Sequence, residues 1–230
     1  MKEIILNSMY FGIALSILTY FIASKIRAKT GLEFLNPLFL TIVLIIIFLV
    51  SFKIEYEAYN SSAKYLSYLL TPATVCLAVP LYKQLNLLRK NIKAVIIGIT
   101  VGVITSLGSI FLLSFLFGLN HAQYISLLPK SVTTAIGVGI SEELGGIPSI
   151  TIAAIVLTGN LGNLLAEWIC KLFKIKEPIA VGLAIGTSSH ALGTTKALEI
   201  GEIEGAMSSL SIAVAGLLTV VFASIFAMLI

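Results

Sequence analysis

The sequence predicts an all-α polytopic membrane protein of about 7–8 membrane segments, some broken or re-entrant, with an inverted-topology repeat. Two compositional facts predict it. Only 11% of the 230 residues are charged, where a soluble domain carries about 25%. The hydrophobic fraction is 58% and the mean hydropathy is +1.04. These values exclude a soluble globular enzyme, a disordered tail and a nucleic-acid-binding domain. A spanning helix needs about 20 apolar residues, so the chain has room for at most about eight. It is read as a single membrane domain, 1–230, with approximate halves 1–119 and 120–230.

The first segment covers about Met9 to Ala23. Its basic residues Lys25, Arg27 and Lys29 follow the apolar run, and no clean small-residue cleavage site comes after it. This charge order fits an uncleaved span with its N-terminus outside. The second runs from about Asn36 to Phe52, and a polar stretch with Lys53, Glu55 and Glu57 follows. The third, about Tyr65 to Tyr82, contains Pro72, Thr74 and Pro80. Proline lacks the amide donor and clashes with the preceding turn, so a break is expected near Pro72. A basic stretch (Lys83, Arg89, Lys90, Lys93) leads into the fourth span, about Ala94 to Leu119.

The fifth segment starts near Tyr124 and is broken at Pro129, with Lys130, Ser131, Thr133 and Thr134 beside the break. The sixth is about Ile147 to Phe173 and carries Asn160, Asn163 and Glu167. The seventh begins at Pro178 and turns polar from Gly186 through Thr187, Ser188, Ser189, His190, Gly193 and Thr194 to Lys196. The eighth runs from about Ala206 to Ile230. With segment five re-entrant from outside and the other seven crossing, ten basic residues fall inside: Lys25, Arg27, Lys29, Lys83, Arg89, Lys90, Lys93, Lys171, Lys174 and Lys176. Lys2, Lys53 and Lys64 fall outside, with eight of the 11 glutamates. That distribution follows the positive-inside rule.

Segments two to four and six to eight then run in opposite senses, each set with a broken middle member, at Pro72 and at Gly186 to Gly193. This is the outline of an inverted repeat. Broken helices are tolerated in membranes where they line a protein cavity. A helix starting at Ser131 presents free N–H groups beside Lys130, which makes an anion site. The other reading has Lys130 snorkelling to the outer interface. The hydroxyls of Thr187, Ser188, Ser189 and Thr194 suit a carboxylate or satisfy freed backbone, and His190 suits either proton coupling or packing. Asn160 and Asn163 share a helical face and are read as ligand contacts or interhelical glue. Gly98 and Gly102 form a GxxxG pair suited to close helix contact. With two Cys and two His far apart, no metal and no cofactor is expected, and no nucleophile–base pair suggests an enzyme.

The run Thr71-Pro72-Ala73-Thr74-Val75-Cys76, followed by Leu128-Pro129-Lys130-Ser131-Val132-Thr133-Thr134 and Gly186-Thr187-Ser188-Ser189-His190-Ala191-Leu192-Gly193-Thr194, resembles the LrgB/CidB family. The resemblance covers essentially the whole chain. One departure is Ala135, where the family often has proline after the Lys-Ser-Val-Thr run. The resemblance implies a bacterial inner-membrane protein, antiholin-like or holin-like, tied to control of murein hydrolase activity and lysis. It implies a small LrgA/CidA-like membrane partner and leaves a homo-oligomer open. Its plastidal relatives look like glycolate/glycerate carriers, and bacterial relatives are tied to pyruvate uptake. Combined with the broken segments and Lys130, it points to a transporter of small monocarboxylate anions. A pore or regulatory protein without a substrate site is the competing expectation.

Overall fold

Residues 8–30, 37–69, 72, 79 and 82–230 are described in the computed structural model. The chain divides into two units, residues 1–76 and 77–230. Among the described residues, four helices are long and apolar enough to cross a membrane: Phe11–Thr30, Leu85–Phe117, Pro148–Leu172 and Glu202–Leu229.

In the first unit, α1 (Phe11–Thr30) packs with α2 (Pro37–Ser51) and α3 (Tyr56–Ala63), and a 3₁₀ turn (Lys64–Leu69) follows α3. Gly12 sets the α1–α3 approach. A Cβ there would meet the Tyr59 carbonyl and the Ala63 amide, and its own amide donates to Ser62 Oγ at 2.7 Å. The expected second span corresponds to α2, whose 15 residues reach only about 22 Å, short of the ~30 Å hydrocarbon core. Pro72 is exposed and helical. Thr74, Cys76 and Pro80 lie outside the described residues, and with them most of the expected third-segment break.

The second unit is built on three long helices: α4 (Leu85–Phe117), α7 (Pro148–Leu172) and α9 (Glu202–Phe226). α4 has 33 residues, about 50 Å. It begins nine residues before the expected Ala94, because Leu85, Leu87, Leu88 and Ile92 continue its apolar pattern through the basic stretch. It ends at Gly118, whose φ of 62° lets the chain turn away while the amides of Gly118 and Leu119 cap the last carbonyls. Pro148 and Pro178 stand at the first positions of their helices, where a missing amide costs nothing.

Between α4 and α7 the chain makes a helical hairpin. α5 (His121–Leu127) opens on an Asn120/Gln123 capping box. Residues 128–133 turn, and α6 (Thr134–Leu144) leads back. The chain leaving α6 returns to the last turn of α5, where the Ile147 amide donates to Ser126 Oγ at 2.7 Å. α6 starts at Thr134 rather than at the expected Ser131, because the turn after Pro129 occupies residues 129–132.

The seventh segment is expected to cross. Instead α8 (Pro178–Ile200) reverses at His190, whose φ of 43° and ψ of −141° are non-helical. Four observations fix the reversal. Ala197, on the return arm, shares one buried cluster with Val181 and Ile185 of the outgoing arm. Lys196 pairs with Glu167 at 2.7 Å, near the end of α7 from which α8 starts. Gly182 lies against Glu204 and Met207 of α9, and Gly186 against Ser208 and Ser211. From the other arm, Leu198 lies against Gly205, and Thr194 Oγ1 meets Ser208 Oγ at 2.7 Å. Both arms therefore flank one stretch of α9.

Two expectations change with this. Gly186 and Gly193 are helical, not the break itself. They are close-packing positions, since a Cβ on Gly186 would strike the Ser208 backbone and one on Gly193 would strike Ser189. α9 also runs opposite to the expected eighth segment. It begins where Glu202 lies beside Lys83 and Gln84 at the start of α4. It ends where Ile230 O meets His121 Nδ1 at 2.7 Å. The two hairpins thus come in from opposite ends of this unit.

Candidate functional site

The hairpin tips meet beside α4. A groove of about 730 Å³ runs along α4 and the outgoing arm of α8, from Asn91 and Glu177 at one end to Ser109 and Lys130 at the other. Small residues form its walls: Ala94, Gly98 and Gly102 on α4, Ala180 and Ala184 on α8. Thr187 faces Gly102 so closely that a Cβ there would lie 2.7 Å from Thr187 Cγ2. The GxxxG pair of α4 therefore serves close approach to α8 rather than phosphate binding.

Lys130 stands at the first tip. Its Nζ donates to Ser131 Oγ at 3.0 Å and to Ser106 Oγ at 3.3 Å, and those two hydroxyls are 3.1 Å apart. Ser106 is 11 residues from Phe117, about 16 Å along the helix. Lys130 is thus tied to α4 at a point about two-thirds of the way along that helix. Among the described residues, the ion pairs are Glu167 with Lys171 and Lys196, and Glu199 with Lys196. None of these described carboxylates pairs Lys130. An ammonium in a spanning region costs about 2.5–3.5 kcal/mol on insertion scales.

The second tip supplies Thr187 and Ser188 to the same groove. Ser188 Oγ donates to Ile185 O at 3.3 Å and lies 3.0 Å from Ser189 Oγ. Thr187 is 6% exposed and its Oγ1 has no hydrogen-bond partner among the described residues. His190 is buried behind the tip. Its Nε2 lies 3.1 Å from Ile155 O and its ring packs against Gly159. That contact holds a left-handed backbone that otherwise costs a non-glycine residue about 1–3 kcal/mol.

Of the residues picked from sequence, Lys130, Ser131, Thr187 and Ser188 line the groove. The others do not line it. Thr133 caps α6 by backbone position only and Thr134 is its first residue. Ser189 and Thr194 are buried, Thr194 bonding His190 O and Ser208. Asn163 Nδ2 donates to Leu192 O at 2.8 Å and to Thr195 Oγ1 at 2.9 Å, tying α7 to the return arm of α8. Asn160 Nδ2 donates to Val156 O within α7. Sequence reasoning missed Ser106, Ser109 and Glu177. The first two carry a signal that was there to use: Ala94, Gly98, Gly102, Ser106 and Ser109 recur at helical spacing, a small and polar stripe down an otherwise bulky helix.

Known proteins match this chain over nearly its whole length. It is 40% identical over 218 residues to the antiholin-like protein LrgB of Bacillus cereus strain B4264, covering 94% of this chain and 95% of that protein. The antiholin-like protein LrgB of Bacillus anthracis strain A0248 matches to the same extent. No solved structure matches. The model of the LrgB-like family takes in residues 16–229, and with them both hairpins and every residue of the groove, so the chain belongs to that family.

Proposed function

We propose that this protein is a carrier of small monocarboxylates of the pyruvate or glycolate type, working in the bacterial cytoplasmic membrane. One observation carries the reading. Among the described residues, Lys130 has only the hydroxyls of Ser106 and Ser131 as partners, and it opens onto a groove shared with residues of a second hairpin. A fixed cation with hydroxyl donors recognises a carboxylate, and two tips entering from opposite ends suit a site approached from either side.

The order of elements supports an inverted repeat. α4 with the α5–α6 hairpin is followed by α7 with the α8 hairpin, in the opposite sense. The repeat pairs these elements rather than segments two to four with six to eight. Charge supports the orientation. In residues 77–230, eight of the nine lysines and arginines lie toward the end where α4 begins, and the ninth is Lys130. That end is cytoplasmic by the positive-inside rule. The N-terminus of the chain is outside, as its first basic cluster suggests. A small LrgA/CidA-like membrane protein is the partner, and control of murein hydrolase activity and lysis follows from carboxylate flux.

The name of the relatives favours a second reading, an antiholin-type regulator without a substrate site. Uptake of radiolabelled pyruvate and glycolate into proteoliposomes, with and without the small partner, separates the two. Saturable uptake that falls at least about tenfold in Lys130→Ala, equivalent to about 1.4 kcal/mol, supports the carrier and its site. Saturable uptake that survives removes Lys130 from the site. Leakage of unrelated solutes without saturable uptake selects the second reading.

A further inference from the structure

The hydroxyl of Ser106 is spent on another element, not on its own helix. Elsewhere on α4, Thr100 Oγ1 donates to Ile96 O and Ser109 Oγ to Ser106 O, the local bonds a helix offers its serines and threonines. Ser106 Oγ instead lies 3.3 Å from Lys130 Nζ and 3.1 Å from Ser131 Oγ, and Lys130 Nζ also donates to Ser131 Oγ at 3.0 Å. The three groups close a triangle, with two corners on the first hairpin's tip and one on α4.

An ammonium carries three N–H donors and each serine one O–H. Lys130 gives one N–H to each serine, and one serine gives its O–H to the other. One N–H and one O–H are then left without a partner among the described residues. Ser131 is 8% exposed, whereas Ser106 and Lys130 are only partly buried. Ser131 therefore donates inward to Ser106, and the O–H left over belongs to Ser106. The open space beside both remaining donors is the groove, which Ser106 and Lys130 line together.

Building on the carrier reading above, we propose that Ser106 is a substrate-binding residue, its O–H and the remaining N–H of Lys130 holding the two oxygens of one carboxylate. The donor atoms are 3.3 Å apart, close enough to serve a single carboxylate group. Both bonds are charge-assisted, the stronger class of hydrogen bond. The ligand then contacts α4 and the hairpin tip at once, so its binding joins the two elements.

Concentration-dependent uptake of radiolabelled pyruvate or glycolate by the full chain in proteoliposomes tests this. Ser106→Ala should raise KM at least about fivefold, with the maximal rate per inserted protein nearly unchanged. Alanine is the better helix former, so α4 keeps its fold. Thr100→Ala removes an α4 hydroxyl that does not line the groove, and should leave KM within about twofold of wild type. Ser131→Ala removes only internal sides of the triangle and should raise KM less than Ser106→Ala. An unchanged KM in Ser106→Ala, or a loss confined to the maximal rate, overturns the inference and leaves the carrier standing. So does a KM that rises as far in Thr100→Ala, or further in Ser131→Ala. Absence of any saturable uptake by the wild type removes the underlying reading instead.

Discussion

At the scale of single residues, the second tip depends on what is missing from its neighbours. His190 holds a left-handed backbone, and Gly159 and Gly162 of α7 leave room for its ring and for Ser189. A Cβ on Gly162 would collide with Ser189 Oγ and Cβ. Gly162→Ala should therefore cost about 1–3 kcal/mol by overpacking, seen as a lower melting temperature in detergent, with impaired uptake. Gly139, in α6, has open space around it. Gly139→Ala should leave stability unchanged or raise it by about 0.5–1 kcal/mol. Equal effects from the two substitutions would count against the packing argument. The sequence marks Lys130, Thr187 and His190 through residue type alone, since such groups are costly in an apolar run. It does not mark Ser106, because a serine in a helix is cheap and its importance comes from what the fold brings to it.

At the scale of elements, the sequence shows that segments five and seven are interrupted but not that both reverse. Hydropathy averages over a window cannot separate a crossing from a hairpin. The direction of the return arm is set by long-range pairs such as Lys196 with Glu167. A straight α8 would carry Lys196 roughly 20 Å further from the α7 end than Glu167. Glu167→Cys with Lys196→Cys, in a chain with Cys76 and Cys170 replaced by alanine, should be joined by a short bismaleimide. The cross-link should shift gel mobility after cleavage of a protease site placed between the two positions. A straight helix gives no such product.

At the scale of the whole chain, the α8 reversal changes the side on which the acidic residues lie but not the rule that orients the protein. Glu199, Glu202 and Glu204, expected outside, follow the return arm to the end where Lys83 starts α4. The positive-inside rule counts lysine and arginine, so acids moving to the basic end do not weaken it. Within residues 77–230, the sequence has α4 and α7 running in opposite senses, as they do, and then loses the sense of α9. One unseen reversal inverts everything after it, as a strand slip inverts every face beyond it. Membrane-impermeant maleimide labelling decides the outcome. In the same cysteine-free background, Lys83→Cys and Glu202→Cys should label only from the cytoplasmic side, and His121→Cys only from outside. Glu202→Cys labelling with His121→Cys would restore a crossing seventh segment and separate the two hairpin tips. The groove would then lose Thr187 and Ser188, and the carboxylate site would have to be rebuilt around Lys130, Ser131 and Ser106 alone.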